Sequence, residues 1–231
     1  MGWPADLVLV RHAESEGNVL PASERGSLPQ PSHRFQLTDR GRAQARITGD
    51  YLHERYPDGF DTYYCSHYHR VQETMRILFP DARIYEDPRL AEGSRGIFSE
   101  LTAAEIAERY PHEEARRLKE GYYNFRPIGG ENWPDVELRI HSFLGTLARD
   151  CEGERVLIVV HGFWLHLFRR LVERFSVEEC VGSYPRDVVE NASVTRYRGE
   201  LIGGRSRLIR TELGIVPWRD KGLLAIPPGS T

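Results

Sequence analysis

The sequence has few cysteines and no long apolar run. Its 231 residues include three cysteines, Cys65, Cys151 and Cys180, an odd number at wide spacing. This pattern argues against a disulfide framework and against a zinc site built from paired cysteines. No stretch approaches the roughly 18 apolar residues of a membrane-spanning helix, and the start, Met1-Gly2-Trp3-Pro4, lacks a signal-peptide pattern. We therefore expect a cytoplasmic protein with reduced thiols and no membrane partner.

The sequence also lacks an excess of charge of either sign. The net charge is −3, with 40% hydrophobic and 28% charged residues, which gives no general attraction to nucleic acid or to anionic membranes. There is no internal repeat and no low-complexity tract. We expect one domain over residues 1–231, followed at its end by a Pro/Gly-rich tail, Ile226–Thr231, of disordered or surface-strap composition. The oligomeric state is left open.

Short apolar runs alternate with longer amphipathic segments along the chain. Strands are predicted at Leu7–Val10, Tyr63–Ser66, Arg83–Glu86, Val156–Val160, Asn191–Tyr197 and Ser206–Leu213. Helices are predicted at about Thr38–Tyr56, Ser66–Leu78, Thr102–Arg109, a further piece to Glu120, Trp133–Arg149, Phe163–Phe175 and from Ser176. This alternation predicts an α/β fold of three layers, with a mostly parallel central sheet and helices on both faces. Residues 19–36 and 121–135 are predicted to be loops that cover the substrate pocket.

Basic residues follow three of the predicted strands, just beyond the point where each strand ends. Arg11 and His12 follow the first strand, Arg70 lies four residues past the second, and His161 and Gly162 follow the strand at Val156–Val160. Open α/β sheets bind ligands at the carboxyl ends of their strands. A lone histidine there is more often structural, but the repeated pattern favours a functional crevice.

The motifs as a set closely resemble the histidine phosphatase superfamily, also called the phosphoglycerate mutase-like family. They occur in the family's order and span residue 7 to about residue 195. The resemblance is carried by Arg11-His12-Ala13-Glu14-Ser15 with Asn18, the segment Ser66–Thr74, Leu90-Ala91-Glu92 with Gly96, Gly129-Gly130-Glu131, and His161-Gly162. The resemblance implies the same α/β fold, with one antiparallel strand.

The resemblance implies a role for each matching residue. His12 would be the nucleophile, and imidazole suits this role because its free nitrogen attacks well near neutral pH. Glu92 would be the general acid and base, and His161, when protonated, would donate a hydrogen bond to the phosphoryl group. Arg11 and Arg70 would bind phosphate with their planar guanidinium groups. The phosphate-binding residues would also include Asn18.

Some of these residues have structural alternatives. Arg70 taken alone would be interpreted as a solvated surface charge, and Glu92 as a capping or surface carboxylate. Arg95, Tyr122 and Arg126 are candidate substrate-binding residues, although such residues more often lie on the surface without contacting substrate. No metal ligand and no cofactor are predicted: His67 and His69 match a ligand spacing, but His-x-His beside a helix start more often lies in solvent or behind the site.

The predicted function is a metal-independent phosphomonoester hydrolase that acts through phosphohistidine on a small phosphorylated substrate. A cofactor-dependent phosphoglycerate mutase would use the same residues, but the segment from Glu92 to His161 is short for that group. A metallohydrolase could use the nine histidines, yet the strand ends carry arginines where a metal site requires carboxylates. A non-catalytic interaction module has no support while the full motif set is present.

Overall fold

The computed structural model describes residues 2–21 and 24–219, and the predicted C-terminal tail lies outside these residues. The strands are β1 (Asp6–Arg11), β2 (Thr62–Cys65), β3 (Ile84–Glu86), β4 (Arg155–Val160), β5 (Val194–Ile202) and β6 (Arg205–Ile215). They form one sheet in the order β3-β2-β4-β1-β5-β6. β5 pairs antiparallel with β1 and β6, while the other pairings are parallel. Five strands therefore run in one direction, which confirms the expected mostly parallel sheet.

The two central strands, β1 and β4, are buried on both faces. Leu7 and Leu9 of β1 pack in the core on one face of the sheet, and Val8 and Val10 pack in the core on the other. All four side chains have no exposed surface. Successive side chains of a strand point to opposite faces, so a strand with no polar alternation must be covered on both sides.

Helices cover both faces of the sheet. The helices are α1 (Glu16–Val19), α2 (Asp39–Arg55), α3 (His69–Leu78), α4 (Ala103–Arg109), α5 (Pro111–Asn124), α6 (Trp133–Asp150), α7 (Gly162–Glu173) and α8 (Val177–Ser183). α2 and α3 bury Leu52 and Met75 against one face, and α6 and α7 bury Phe143 and Trp164 against the other. The predicted three-layer α/β fold is confirmed.

Side chains cap the helices where the sequence predicts it. The Thr38 hydroxyl accepts a hydrogen bond from the Gly41 N–H at 2.9 Å. Thr102 and Ser176 each begin a helix with a capping box, in which the side chain three residues later bonds back to the cap. Such caps satisfy N–H groups that have no partner inside the helix.

The segment 121–135 differs from its prediction as a loop. α5 extends through a kink at Gly121, where φ is 76°, to Asn124. A capping box formed by Asn132 and Asp135 then begins α6. Only residues 125–132 are irregular, so the loop prediction is wrong at both ends. Of the segment 19–36, the described residues 19–21 and 24–36 are irregular apart from the end of α1 and two short 3₁₀ turns.

Candidate active site

His12 lies directly after β1 and is 3% exposed. Its backbone N–H donates to the Val160 carbonyl at 2.8 Å, which ties it to the end of the neighbouring strand β4. Its ring Nδ1 lies 2.7 Å from the Ala13 carbonyl oxygen. A carbonyl oxygen only accepts, so this contact places the ring proton on Nδ1 and leaves the lone pair on Nε2.

Arg70, in the first turn of α3, links both histidines of the site. Its Nε donates to His12 Nε2 at 3.2 Å, and its Nη2 lies 3.1 Å from His161 Nδ1. Its Nη1 donates to the Ser32 carbonyl at 2.7 Å. The side chain is 7% exposed and packs over the Tyr68 ring. A buried guanidinium beside an imidazole nitrogen that carries a lone pair forms a binding position for an oxyanion.

His161 follows β4 and lies opposite His12, with the two ring centroids 5.3 Å apart. Its Nε2 lies 3.0 Å from the Ser66 hydroxyl. Arg70 can only donate, so Nδ1 of His161 accepts and its Nε2–H donates to Ser66. Burial lowers the pKa of His161 well below its usual value, and the positive charge of Arg70 lowers it further. Nδ1 of His161 can donate to an anion only when it carries a proton, either in the imidazolium form or in the neutral tautomer in which the Ser66 hydroxyl donates to Nε2.

Arg11 and Asn18 line the same cavity. Arg11 Nη1 donates to the Val189 carbonyl at 2.6 Å. A side-chain carbon at Gly162 would lie 3.1 Å from Arg11 Nε, so a glycine after His161 allows the arginine to pack closely. Asn18 Oδ1 accepts hydrogen bonds from the Ser15 N–H and hydroxyl. The Asn18 amide nitrogen is therefore the group with which this side chain can donate to phosphate.

Glu92 lies after a 3₁₀ turn, in an irregular segment that reaches the cavity. Its Oε1 accepts hydrogen bonds from the N–H groups of Gly93 at 3.1 Å and Trp164 at 3.3 Å. Burial raises the pKa of the Glu92 carboxyl, while the charge of Arg70 and the Gly93 N–H oppose the rise. The raised pKa favours the protonated carboxyl, which is the form that a general acid requires.

One cavity of about 650 Å³ is lined by Arg11, His12, Asn18, Arg70 and Glu92. His161 is not among its lining residues: it is fully buried and contacts Arg70 at 3.1 Å. Of the three candidate substrate residues, Arg95 lines the cavity, but Tyr122 and Arg126 do not. Arg126 pairs with Asp135 at 2.6 Å, and Tyr122 is 59% exposed beneath the Arg117 guanidinium. Both lie on the segment 121–135, which contributes no lining residue because it packs behind the loop that carries Glu92. The prediction that it covers the pocket is not supported by this placement.

Several lining residues were not predicted from the sequence. The segment 19–36 contributes Pro31, Ser32, His33 and Phe35, as expected, whereas the other walls come from Tyr68, Ser94, Ser99, Glu100, Phe163, Tyr184, Pro185 and Val188. Phe163 could have been found, because it follows His161 at the end of β4. Tyr184 reaches the cavity only through tertiary packing against Phe163, at 5.5 Å between ring centroids.

Over residues 2–21 and 24–219, no group of three or more His, Cys, Asp or Glu side chains is placed to hold a metal ion. His69 instead contacts Gln36 at 3.1 Å. In the same part of the chain, no helix combines the length and the apolar character needed to cross a membrane.

Among curated proteins, both mutases and phosphatases resemble this chain. It is 32% identical to the 2,3-bisphosphoglycerate-dependent phosphoglycerate mutase 2 of Gloeobacter violaceus, over 76% of this chain and 82% of that protein. It is 29% identical to phosphoserine phosphatase 1 of Hydrogenobacter thermophilus, over 67% and 70% of the two chains. It is 31% identical to the phosphoglycerate mutase-like protein AT74 of Arabidopsis thaliana over 78% of this chain, but spans only 61% of that protein.

Solved structures share the fold across nearly the whole chain. A putative α-ribazole-5′-P phosphatase of Escherichia coli superposes with a TM-score of 0.73 at 19% identity, covering 92% of this chain and 98% of that one. A mycobacterial glucosyl-3-phosphoglycerate phosphatase in complex with inorganic phosphate gives 0.69 at 22% identity, covering 92% and 98%. The family model of the histidine phosphatase superfamily, branch 1, matches residues 7–210, a range that contains His12, Arg70, Glu92 and His161. The chain therefore belongs to the histidine phosphatase superfamily.

Proposed function

We propose that the chain is a phosphomonoester hydrolase that works through a phosphohistidine and needs no metal ion. The observation that carries this proposal is the position of Arg70, whose Nε donates to His12 Nε2 while its Nη2 contacts His161. An oxyanion that binds this guanidinium lies beside Nε2 of His12, which carries a lone pair; His12, unlike His161, lines the cavity. In-line attack on phosphorus requires this arrangement of nucleophile and charge.

The proposed reaction has two steps. In the first, the His12 Nε2–P bond forms as the bond from phosphorus to the leaving oxygen breaks, and the Glu92 carboxyl gives its proton to that oxygen. In the second, the Glu92 carboxylate takes a proton from water, the water oxygen attacks phosphorus, and the Nε2–P bond breaks. Arg11, Arg70, Asn18 and protonated His161 would stabilise the charge on the equatorial oxygens in both steps.

The charges that line the cavity favour hydrolysis over the mutase reaction. Among the described lining residues, Arg11 and Arg70 bind one phosphoryl group and Glu92 supplies the proton. Beyond these, the lining residues with full charges are one arginine, Arg95, and one carboxylate, Glu100. A bisphosphoglycerate would bring a second phosphate and a carboxylate to walls whose remaining charges cancel, which disfavours its binding.

We expect the substrate to be a small phosphomonoester with few other anionic groups. Phe163 and Tyr184 form an aromatic wall, and Ser94 and Ser99 offer hydroxyl groups nearby. Such walls suit a polar leaving group that has a flat apolar face. The structural relatives named above act on α-ribazole-5′-P and on glucosyl-3-phosphoglycerate, which are phosphorylated small molecules.

A panel of phosphomonoesters tests the proposed function. Released phosphate would be measured for sugar phosphates, phosphoserine, nucleotides and p-nitrophenyl phosphate, each with and without excess chelator. We expect turnover of at least one substrate and no loss of rate with chelator. A strict requirement for added metal would contradict the proposal. We expect no such requirement, because arginines occupy the strand ends where a metal site would need carboxylates.

The product distinguishes hydrolase from mutase. We expect 3-phosphoglycerate, incubated with and without 2,3-bisphosphoglycerate, to yield free phosphate in at least about tenfold excess over 2-phosphoglycerate, because the walls offer no net cationic charge for a second anion. Both products can be quantified by ³¹P NMR on one sample. Isomerisation that is faster than phosphate release, and stimulated by the bisphosphate, would establish the mutase reaction instead.

Vanadate binding tests the two arginines. Substituting Arg11→Ala or Arg70→Ala should weaken inhibition by vanadate by about 10- to 100-fold, since each change removes charged hydrogen bonds worth roughly 1.5–3 kcal/mol. Arg149→Ala is the matched control, because this arginine is exposed and pairs with Asp150 on the surface. Unchanged inhibition in both site variants would remove these arginines from the phosphate site.

A further inference from the structure

Arg139, on α6, contacts the backbone of the segment that carries Glu92. Its Nη1 donates to the carbonyl oxygens of Arg89 at 2.8 Å and Ala91 at 2.6 Å. Its Nη2 donates to the carbonyl oxygen of Glu92 itself at 3.1 Å. One guanidinium thus holds three carbonyls within four consecutive residues.

Glu131 completes this arrangement from the other side. Its two carboxylate oxygens accept from Arg139, Oε1 from Nε at 2.8 Å and Oε2 from Nη2 at 3.2 Å. Oε2 also accepts from the Ser94 N–H at 2.9 Å, and the Ser94 carbonyl accepts from the Glu131 N–H at 2.9 Å. The Arg139–Glu131 pair therefore holds the backbone on both sides of Glu92.

The segment needs such support because it has no regular structure. Glu92 to Arg95 belongs to neither a helix nor a strand, so it lacks the repeating hydrogen bonds that fix those elements. The Arg139 and Glu131 side chains are only 16% and 26% exposed, which limits competition from water. A planar guanidinium can bond three carbonyls and a carboxylate at once, whereas a lysine ammonium has only three donors and no fixed plane.

We propose that Arg139 and Glu131 are positioning residues that place the Glu92 carboxyl for proton transfer to the leaving group. The inference rests on the proposed role of Glu92 as general acid. Neither residue lines the cavity, so the pair acts through the backbone of Glu92 and not by contact with substrate. Misplacing a catalytic group by about 1 Å can cost on the order of 10²-fold in rate.

The charge of Arg139 acts on Glu92 separately from its geometry. It is one of the positive charges that oppose the burial-driven rise in the pKa of Glu92. Arg139→Lys keeps this charge but loses the planar fork, and Arg139→Gln loses both. The two variants therefore separate positioning from electrostatics.

The test measures single-turnover phosphorylation of the protein by rapid quench, with an alkyl phosphate and with p-nitrophenyl phosphate. An alkoxide needs a proton to leave, whereas nitrophenolate does not. We expect Arg139→Lys and Glu131→Gln to slow transfer from the alkyl phosphate by about tenfold or more and transfer from p-nitrophenyl phosphate by less than about threefold. Arg149→Lys, on the same helix, should change neither rate.

The pH profile gives a second readout. The alkyl-phosphate rate needs protonated Glu92, so it falls as pH rises through the pKa of that carboxyl. Removing a nearby positive charge raises this pKa, so Arg139→Gln should move the fall to higher pH, while Arg139→Lys should leave it in place. In the double variant Glu92→Gln/Arg139→Lys, the lysine should add no further loss to that of Glu92→Gln.

Each contrary outcome has a distinct meaning. Equal losses with both substrates, in variants that keep the wild-type circular dichroism and Tm, would show that the pair only stabilises the fold and would overturn the positioning role. If Glu92→Gln itself showed no dependence on the leaving group, the general-acid assignment would fail, and the positioning role with it. If Arg139→Gln does not fold, the lysine and Glu131→Gln variants decide the outcome.

Discussion

His12→Ala should lower turnover by about 10⁴-fold or more, the loss expected when a covalent nucleophile is removed. The fold should survive, because His12 follows β1 and lies outside the apolar cores on the two faces of the sheet. Phosphate release from p-nitrophenyl phosphate measures the activity, and circular dichroism with thermal unfolding measures the fold. His141→Ala, which removes an exposed histidine of α6, is the control and should leave both unchanged.

The covalent intermediate can be located directly. Wild-type protein mixed with ³²P-labelled substrate and quenched in a denaturant without acid should carry label on His12, because its Nε2 combines a lone pair with contact to Arg70 and because His12, unlike His161, lines the cavity. The label should be absent from His12→Ala. Label recovered on a serine or a cysteine would contradict the phosphohistidine mechanism.

The central part of the fold could be predicted because β1 and β4 each contain an uninterrupted run of apolar residues. A strand with such a run must be covered on both faces, so these two runs predict a sheet with helices on both sides. The β5–β6 hairpin was predicted less well. β5 extends to Ile202, yet Leu201 is 76% exposed, so its outer half has no inward-facing pattern to detect. Gly203 and Gly204, both at positive φ, then form the turn.

Glycine also explains why the loop predicted over residues 121–135 begins too early. Gly121 adopts φ 76° as a kink inside α5, and the helix continues to Asn124. The start of α6 depends on the reciprocal hydrogen bonds of Asn132 and Asp135. Here an asparagine and an aspartate fill the roles that Ser or Thr and Glu fill at the other predicted caps, and the helix predicted from Trp133 is confirmed.

The phosphate-binding half of the site was predictable because the topology of the sheet determines where its residues lie. Parallel strands deliver their carboxyl ends to one edge of the sheet, so residues that follow β1 and β4 must meet there. The structure accordingly brings His12 and His161 together around Arg70. The part of the cavity wall that Tyr184 forms was not predictable, because Tyr184 reaches the cavity by packing against aromatic residues of other elements. Arg139 was not predictable either, since a helical arginine followed by no motif resembles a surface charge.

Glu92→Gln should divide substrates according to their leaving groups. Glutamine keeps the size and the hydrogen-bonding capacity of the side chain but cannot give up a proton at neutral pH. We expect phosphoryl transfer to His12 from an alkyl phosphate to slow by about 10²- to 10⁴-fold, the usual range for a general acid. Transfer from p-nitrophenyl phosphate should change by less than about tenfold, because nitrophenolate leaves without a proton.

The measurement must isolate the first step, because Glu92 also acts as base when water attacks the phosphohistidine. The pre-steady-state burst of nitrophenol reports that step for the aryl substrate, and rapid-quench labelling of His12 reports it for the alkyl substrate. In the wild type, the alkyl-phosphate rate should fall as pH rises, since the acid must begin protonated and burial holds its pKa above the usual value. That fall should be absent in Glu92→Gln.

Equal losses for both substrates would mean that Glu92 is not the proton donor. Glu131 could not simply replace it, because both of its carboxylate oxygens already accept from the Arg139 guanidinium.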